Sequence, residues 1–249
     1  MNAAIITARA GSKSIINKNV FMVNGKPMVH YPIQAALDAL KIDKIFISTD
    51  GELIADAAKE LGATIIPRPE ELSGDTVNHG IVIKHAVDWV NERHDDLENI
   101  VLLLGNTVYI DGEIIDICLQ RLDDDRTLDS CMTVWEAQDD HPNRAMEINE
   151  EGILEAFGDK NRKVSTERQS YKKAYYYDQG VWAFRKYTVE KEDGVNPWWW
   201  MGNRSAPILR TWVTGRDVHT HFDIGISEWW ARNPDLMKEL LNKSSENGL

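Results

Sequence analysis

The chain has 249 residues, with 40 acidic against 28 basic side chains and a formal net charge of −12. That length suits one large domain, or one domain with an insertion, and a 43% apolar share can bury a substantial core, which excludes a mainly disordered chain. So acidic a balance excludes a general nucleic-acid binder, because phosphate contacts need clustered Lys and Arg.

Ala3–Ala8 is a near-continuous apolar run, the pattern of a central parallel strand. A Gly/Ser/Lys-rich loop follows, and Pro27 suits the first turn of a helix that carries Ile33, Ala36, Leu37 and Leu40 at helical spacing. A strand over 44–48, a helix over 53–58 ending before Gly62, and a short strand over 64–66 stopped by Pro67 come next. A helix over 79–90, a strand over 100–104 and a helix over 113–122 complete the alternation. This order predicts a doubly wound, mostly parallel α/β sheet of Rossmann-like form. The later chain changes character. Strands are expected over 131–135 and 181–184, irregular chain over 158–173, loops over 185–215, and a closing helix over 227–241 interrupted near Pro234. Residues 1–249 are therefore read as a single domain with a smaller inserted element within about 140–215.

The aliphatic runs, such as Ile100–Leu104, are far below the roughly 20 residues of a bilayer span. The opening residues lack a signal-peptide pattern, and Cys118 and Cys131 offer neither a disulfide framework nor metal-site spacing. A cytoplasmic protein with no membrane or nucleic-acid partner is expected.

The charge is uneven. Residues 1–37 hold Arg9, Lys13, Lys18 and Lys26 and no acid, so this segment is +4 and the remainder −16. In open α/β sheets ligands bind beyond the carboxyl ends of the strands, which puts the loop after the first strand first in line. It reads Thr7-Ala8-Arg9-Ala10-Gly11-Ser12-Lys13-Ser14-Ile15-Ile16-Asn17-Lys18-Asn19. Exposed backbone N–H groups at Gly11 and Ser12, with three cations, suit a phosphate-bearing anion. The glycine spacing is neither that of a Walker A loop nor that of a dinucleotide turn.

This loop resembles the opening of the acylneuraminate-type cytidylyltransferases, whose pattern is IIPARxGSKxxxxKN. Ile47-Ser48-Thr49-Asp50 is a second match, and Arg68-Pro69-Glu70-Glu71-Leu72-Ser73-Gly74-Asp75-Thr76 resembles the pattern RPxxLAxDT. Arg168-Gln169 and Gln179–Phe184 resemble the later R-Q and NGAIYIF stretches, and Asp223–Glu228 resembles DIDTPED. The resemblance implies transfer of CMP from CTP to a small acidic acceptor, with release of pyrophosphate and with Mg²⁺ as cofactor. It implies nucleotide binding by Ala8, Arg9, Gly11, Ser12, Lys13, Lys18, Asn19 and Arg68, with Lys18, Arg9 and Lys13 catalytic. Asn106, Arg168 and Gln179 would hold the acceptor, and Asp223 the metal. Asp75 is read as a structural turn or capping aspartate.

Two departures stand out. The second acid of the metal pair falls on Gly225, so one carboxylate serves or another acid such as Asp217 substitutes. Where the family carries QPTSPLR, this chain has Leu104-Gly105-Asn106-Thr107-Val108-Tyr109-Ile110, with apolar groups at the Gln and Arg positions. The acceptor half is therefore rebuilt. A nonulosonate-type sugar acid is the leading acceptor. A phosphonate, drawing on Arg162, Lys163, Arg168, Lys172 and Lys173, is the alternative, and a non-catalytic nucleotide-binding relative is a third reading. Seven of nine tryptophans lie between residues 182 and 230, and Trp198-Trp199-Trp200 in an extended segment would turn at least one toward a partner chain or a second surface. The family resemblance implies dimerisation through this part of the chain, so homodimer packing is expected ahead of a sugar-stacking platform.

Overall fold

The computed structural model describes residues 1–158, 167, 171–211, 214, 216–236 and 239. Its centre is β1 (Asn2–Thr7), flanked by β4 (Lys44–Thr49) on one side and β6 (Asn99–Leu104) on the other, all parallel. β5 (Thr64–Pro67) extends the β4 side. On the β6 side come β10 (Tyr175–Arg185), β7 (Ser130–Glu136) and β11 (Ser205–Arg210), giving the order β11-β7-β10-β6-β1-β4-β5. Only β10 runs antiparallel to its neighbours in this sheet. The sheet is thus mostly parallel, as expected.

Strand alternation sorts β1 onto two faces. Ala4, Ile6 and Ala8 pack with Ile33 and Ala36 of α1 (His30–Asp38), Ile54 and Ala58 of α2 (Glu52–Glu60), and Ile115 and Leu119 of α4 (Gly112–Asp124). Ala3 and Ile5 pack with Ile83 and Val87 of α3 (His79–Asn91), with Val189 of α5 (Lys186–Lys191), and with Trp182 and Trp200. Both faces of the central strands are covered, which is why they read as unbroken apolar runs.

Three expectations change. The helix placed at Pro27 begins at His30, because Lys26–Pro27 (β3) pairs with Met22–Val23 (β2) across Asn24-Gly25. Both turn residues have positive φ, 47° and 78°, the geometry an Asn-Gly hairpin adopts. The interval 185–215, expected to be loops, holds α5 and the sheet strand β11. The closing helix is α6 (His221–Ala231), starting six residues earlier than read. Within 140–215, β8 (Met146–Ile148) and β9 (Leu154–Ala156) form a separate two-stranded sheet, while β10 and β11 rejoin the main one. Most of 158–173 lies outside the described residues.

The tryptophan triplet is not extended. Trp199–Met201 is a 3₁₀ turn, and Trp198, Trp199 and Trp200 all pack on the α3 face of their own sheet. Gly80 makes this possible, since a Cβ there would lie 2.6 Å from Trp199 Nε1.

Candidate active site

The crossovers step in opposite directions from β1, first to β4 on one side and later to β6 on the other. The crevice beyond the carboxyl ends of β1 and β6 is the binding place such a sheet provides. A cleft of about 270 Å³ lies there, lined among others by Arg9, Ser12, Lys18, Asn19, Arg68, His79 and Asn106. Five of the eight residues expected to hold nucleotide thus meet in one cleft.

The loop after β1 is held by its neighbours. Ala8 N donates to Ser48 O at 3.1 Å, and Ala10 N to Asp50 Oδ1 at 2.9 Å. Asn19 is buried, and its Nδ2 donates to Arg9 O at 2.8 Å, tying the loop's two ends together. Gly105 closes on the same point: a Cβ there would sit 2.6 Å from Ala8 Cβ, so only glycine permits this approach. Gly11 is exposed, and a Cβ added there would meet nothing within 4 Å.

Arg68 follows β5 and reaches back to β4, its Nη2 donating to Ser48 O at 2.8 Å and its Nε to Ser48 Oγ at 3.2 Å. Ser48 and Asp50 are thus a scaffold for both the loop and Arg68. Burial lowers the Arg68 pKa to about 10, against the pull of Asp50, so it is cationic at neutral pH. Lys18 Nζ donates to Val218 O at 2.8 Å. Its pKa is lowered by burial and by Arg9, with Asp217 and Asp223 opposing.

Asp75 is not a cap. The residue capping α3 is Asn78, whose side chain accepts from Gly80 N. Asp75 instead lies 2.5 Å from both Arg9 Nη1 and Lys13 Nζ.

His79 was not legible as a site residue. It opens α3 and lines the cleft beside Arg68, and its Nε2 lies 3.1 Å from Thr7 Oγ1. Burial and the Arg68 charge push its pKa down to about 4, so it is neutral near pH 7.

The segment before α6 supplies the acids. Asp223 Oδ2 accepts Thr220 N at 2.7 Å, Thr220 Oγ1 at 2.9 Å and His219 N at 3.0 Å, completing a capping box at the helix start. Its other oxygen lies 3.7 Å from Arg216. The pattern DIDTPED itself contains a capping box, a threonine three residues before an acid. Registering the pattern on Thr220 and Asp223 moves its first Asp to Asp217 and its second to His219, six residues before the positions read from sequence. Gly225 then falls outside the pattern altogether. Asp217 is not among the cleft-lining residues but meets one of them: its Oδ2 accepts Asn106 Nδ2 at 2.7 Å, and its Oδ1 faces His219 Nε2 at 2.8 Å. Burial works to raise the Asp217 pKa, but His219, Asn106 and Lys18 outweigh it and the carboxyl is lowered.

Among the described residues, no three His, Cys, Asp or Glu side chains converge as a metal cage. The Asp217 carboxylate, held ionised in part by the Lys18 charge, nonetheless fits a hard divalent ion that takes its other ligands from phosphate and water.

The residues expected to hold the acceptor divide. Asn106 lines the cleft. Gln179 is on β10, where its carbonyl accepts Thr107 Oγ1 at 2.9 Å, and it is not among the cleft-lining residues. Arg168 lies outside the described residues, as do Arg162 and Lys163. Lys173 pairs with Glu136 at 2.9 Å beside a separate cavity at the end of β7.

The loop after β6 is anchored from below. Arg210 and Asp178 form a buried ion pair at 3.3 Å. Thr133 Oγ1 also donates to Asp178, while Arg210 Nη2 donates to Tyr109 O and, at 2.8 Å, to Thr214 O. Gly180 leaves room for this pair, since a Cβ there would overlap Arg210. Ile110, at the family's Arg position, is 7% exposed and belongs to the core.

A family model described as cytidylyltransferase matches residues 3–192, most of the chain. The chain belongs to the cytidylyltransferase family. It is 38% identical over 109 residues to the N-acylneuraminate cytidylyltransferase of Escherichia coli O18:K1:H7, a match covering 44% of this chain but 25% of that enzyme. With the Campylobacter jejuni pseudaminic acid cytidylyltransferase it shares 27% identity over 185 residues, covering 74% of this chain and 77% of that one. The fold matches that of CMP:2-keto-3-deoxy-manno-octonic acid synthetase, with a TM-score of 0.67 over 93% of this chain and 99% of that chain, at 16% identity. The described chain of this cytidylyltransferase relative contains no helix long and apolar enough to cross a membrane.

Proposed function

We propose that this protein transfers CMP from CTP to a small acidic acceptor, a nonulosonate-type sugar acid, and releases pyrophosphate. The observation that carries this is the convergence of Arg9, Ser12, Lys18 and Arg68 on one cleft at the carboxyl ends of β1 and β6. Arg9, Lys13 and Lys18 would hold the triphosphate, and Lys18, fixed by Val218 O, would carry the charge that develops on the α-phosphate. Ser12 would add a hydroxyl. Arg68 and neutral His79 form the other polar wall, suited to an uncharged base.

The metal in this reading is a divalent cation held by Asp217, with Mg²⁺ the ion expected from the family resemblance. It would neutralise phosphate charge. Asp223 would act from behind, fixing the start of α6 and the segment that carries Asp217.

A homodimer is part of the same reading. The β8–β9 sheet and its surroundings expose Met146, Ile148, Ile153, Leu154 and Phe157 at 53–71%. A second copy covering this arm would remove that apolar surface from water. Sedimentation velocity should give twice the monomer mass, and Ile148→Asp with Leu154→Asp should return it to monomer. Two free, buried cysteines are consistent with a reducing cytoplasm.

The test is pyrophosphate release with CTP and a divalent cation over a panel of sugar acids and small phosphonates. Turnover with a sugar acid supports the reading. Turnover with phosphonates alone would transfer it to that acceptor class, and CTP binding with no turnover on any acceptor would favour a non-catalytic relative. Separate thermal-shift titrations with CTP, UTP, ATP and GTP address the base, and equal stabilisation by all four would remove the CTP assignment.

A further inference from the structure

Arg210 ends β11, and its buried guanidinium reaches two loops at once. Nη2 donates to Tyr109 O, in the loop after β6, and to Thr214 O, in the segment leading toward α6, the latter at 2.8 Å. The charge is balanced by Asp178 Oδ2, 3.3 Å from Nη1, while the other oxygen of Asp178 accepts Thr133 Oγ1 and, at 2.8 Å, Gly180 N. Among the described residues Nε and Nη1 find no hydrogen-bond acceptor, so the hydrogen bonds of the guanidinium go to the two loop carbonyls. A buried pair of this kind is a poor source of stability, since well-packed apolar groups of similar volume often do as well. It does fix the spacing between the two loops. They meet again at Asn106 and Val218: Val218 N donates to Asn106 O at 3.0 Å, and Asn106 Nδ2 donates back to Val218 O at 3.0 Å. The same Val218 carbonyl accepts Lys18 Nζ at 2.8 Å.

We propose that Arg210 is a positioning residue for Lys18: by tying the two loops together it fixes the Val218 carbonyl, and through it the direction of the Lys18 ammonium. The effect on turnover rests on the CTP reading, whereas the clamp itself rests on these hydrogen bonds. A lysine is a point charge on a flexible stem, so one firm acceptor decides where its remaining N–H groups aim. Lys18 lines the cleft, and a charge already aimed at the reacting phosphate stabilises the transition state far better than one that must first reorganise. Arg9 and Lys13 are held from elsewhere, by Asp75. Loosening the clamp therefore acts on Lys18 and spares the other two cations. The planar fork of an arginine spans a carboxylate on one side and two carbonyls on the other, whereas a lysine keeps the charge and loses the span.

The experiment is competitive acetylation of the full chain with trace acetic anhydride, read lysine by lysine by mass spectrometry. It compares wild type with Arg210→Lys and with the double variant Arg210→Met, Asp178→Leu, which leaves no buried charge stranded. Near-UV circular dichroism establishes that both variants keep their tryptophan packing. Lys18 should be acetylated at least about fivefold faster in both, while the half-buried Lys41 and Lys186 change less than about twofold. An unchanged Lys18 rate, or an equal rise at all three lysines, overturns the proposal. With CTP, Mg²⁺ and the best acceptor of the sugar-acid panel, kcat for pyrophosphate release should fall at least about tenfold, with the CTP KM moving less than about threefold. The same double replacement in a Lys18→Met background should lower kcat by less than about twofold, because the residue acted upon is gone. A full tenfold loss in that background overturns the proposal and makes Arg210 a support of the fold alone. Absence of a CTP thermal shift in wild type removes the nucleotide reading, and the acetylation rates then decide the clamp by themselves.

Discussion

The Asp75 carboxylate grips the guanidinium of Arg9 and, with its second oxygen, the ammonium of Lys13, each at 2.5 Å. Hydrogen bonds from Lys13 and then Arg9 hold the Asp75 pKa below the usual carboxylate range. The two cations assigned to phosphate are therefore shared with an internal anion. A triphosphate reaching them competes with Asp75 for the same donors. Asp75→Asn is expected to raise CTP affinity about threefold or more at low salt, with the gain shrinking at high ionic strength. Calorimetry at two salt concentrations checks this, and unchanged affinity would mean that Arg9 and Lys13 do not engage the nucleotide.

Lys18 differs from these two because its partner is a backbone carbonyl, Val218 O, and two acids lie near without pairing directly. Lys18→Met should reduce turnover by about 100-fold or more, the scale of losing one preorganised charge in a phosphoryl-type transfer. Melting temperature should move by only a few degrees. A variant that keeps full turnover would take Lys18 out of the mechanism.

Arg210 and Asp178 make a prediction about stability. Both side chains are almost fully buried, at 1% and 0% exposure, so removing one strands the other. Arg210→Met should cost about 3–5 kcal/mol in urea denaturation, and the double replacement with Asp178→Leu should recover part of it. The loop carrying Tyr109 should loosen in the single variant, visible as faster amide exchange over 105–110.

His79 sets an acid limit. Its folded pKa of about 4 lies below the ordinary 6.5, so the unfolded chain takes up a proton first as pH falls. No stability is lost above pH 6.5, and up to about 3 kcal/mol is lost between 6.5 and 4. His79→Gln removes this contribution, so its stability should fall less over the same window than that of wild type. Parallel slopes in the two proteins would show that His79 titrates normally.

The first half of the fold was legible because its central strands are covered on both faces and its helices alternate with them. Parallel burial writes unbroken apolar runs such as Ala3–Ile6 and Ile100–Leu104, and these need no partner to be recognised. The Asn24-Gly25 hairpin also carried a turn signal, but Pro27 was read as a helix start instead. β11 was missed because Ser205–Arg210 contains a proline and too few apolar residues to stand out. It is an edge strand, and its Pro207 is tolerated there. The tryptophan triplet misled because it was read as extended, whereas a 3₁₀ turn lets all three rings pack on one core.

The +4 charge of the first 37 residues and the chemistry of the loop after β1 were set by the sequence alone, since a strand followed by clustered cations marks the carboxyl edge of a sheet. Pairing across long stretches of chain was not. That Asp75 faces Arg9, that His79 reaches Thr7, and that Asp217 meets the cleft-lining Asn106 all depend on groups 66 to 111 residues apart being brought within hydrogen-bond distance. Asp217 and Asp223 are both short acids next to helix-starting residues, and only the hydrogen bonds of Thr220 decide which one is consumed by the cap. Local pattern names the chemistry a chain carries, while packing decides which of its charges are left to perform it.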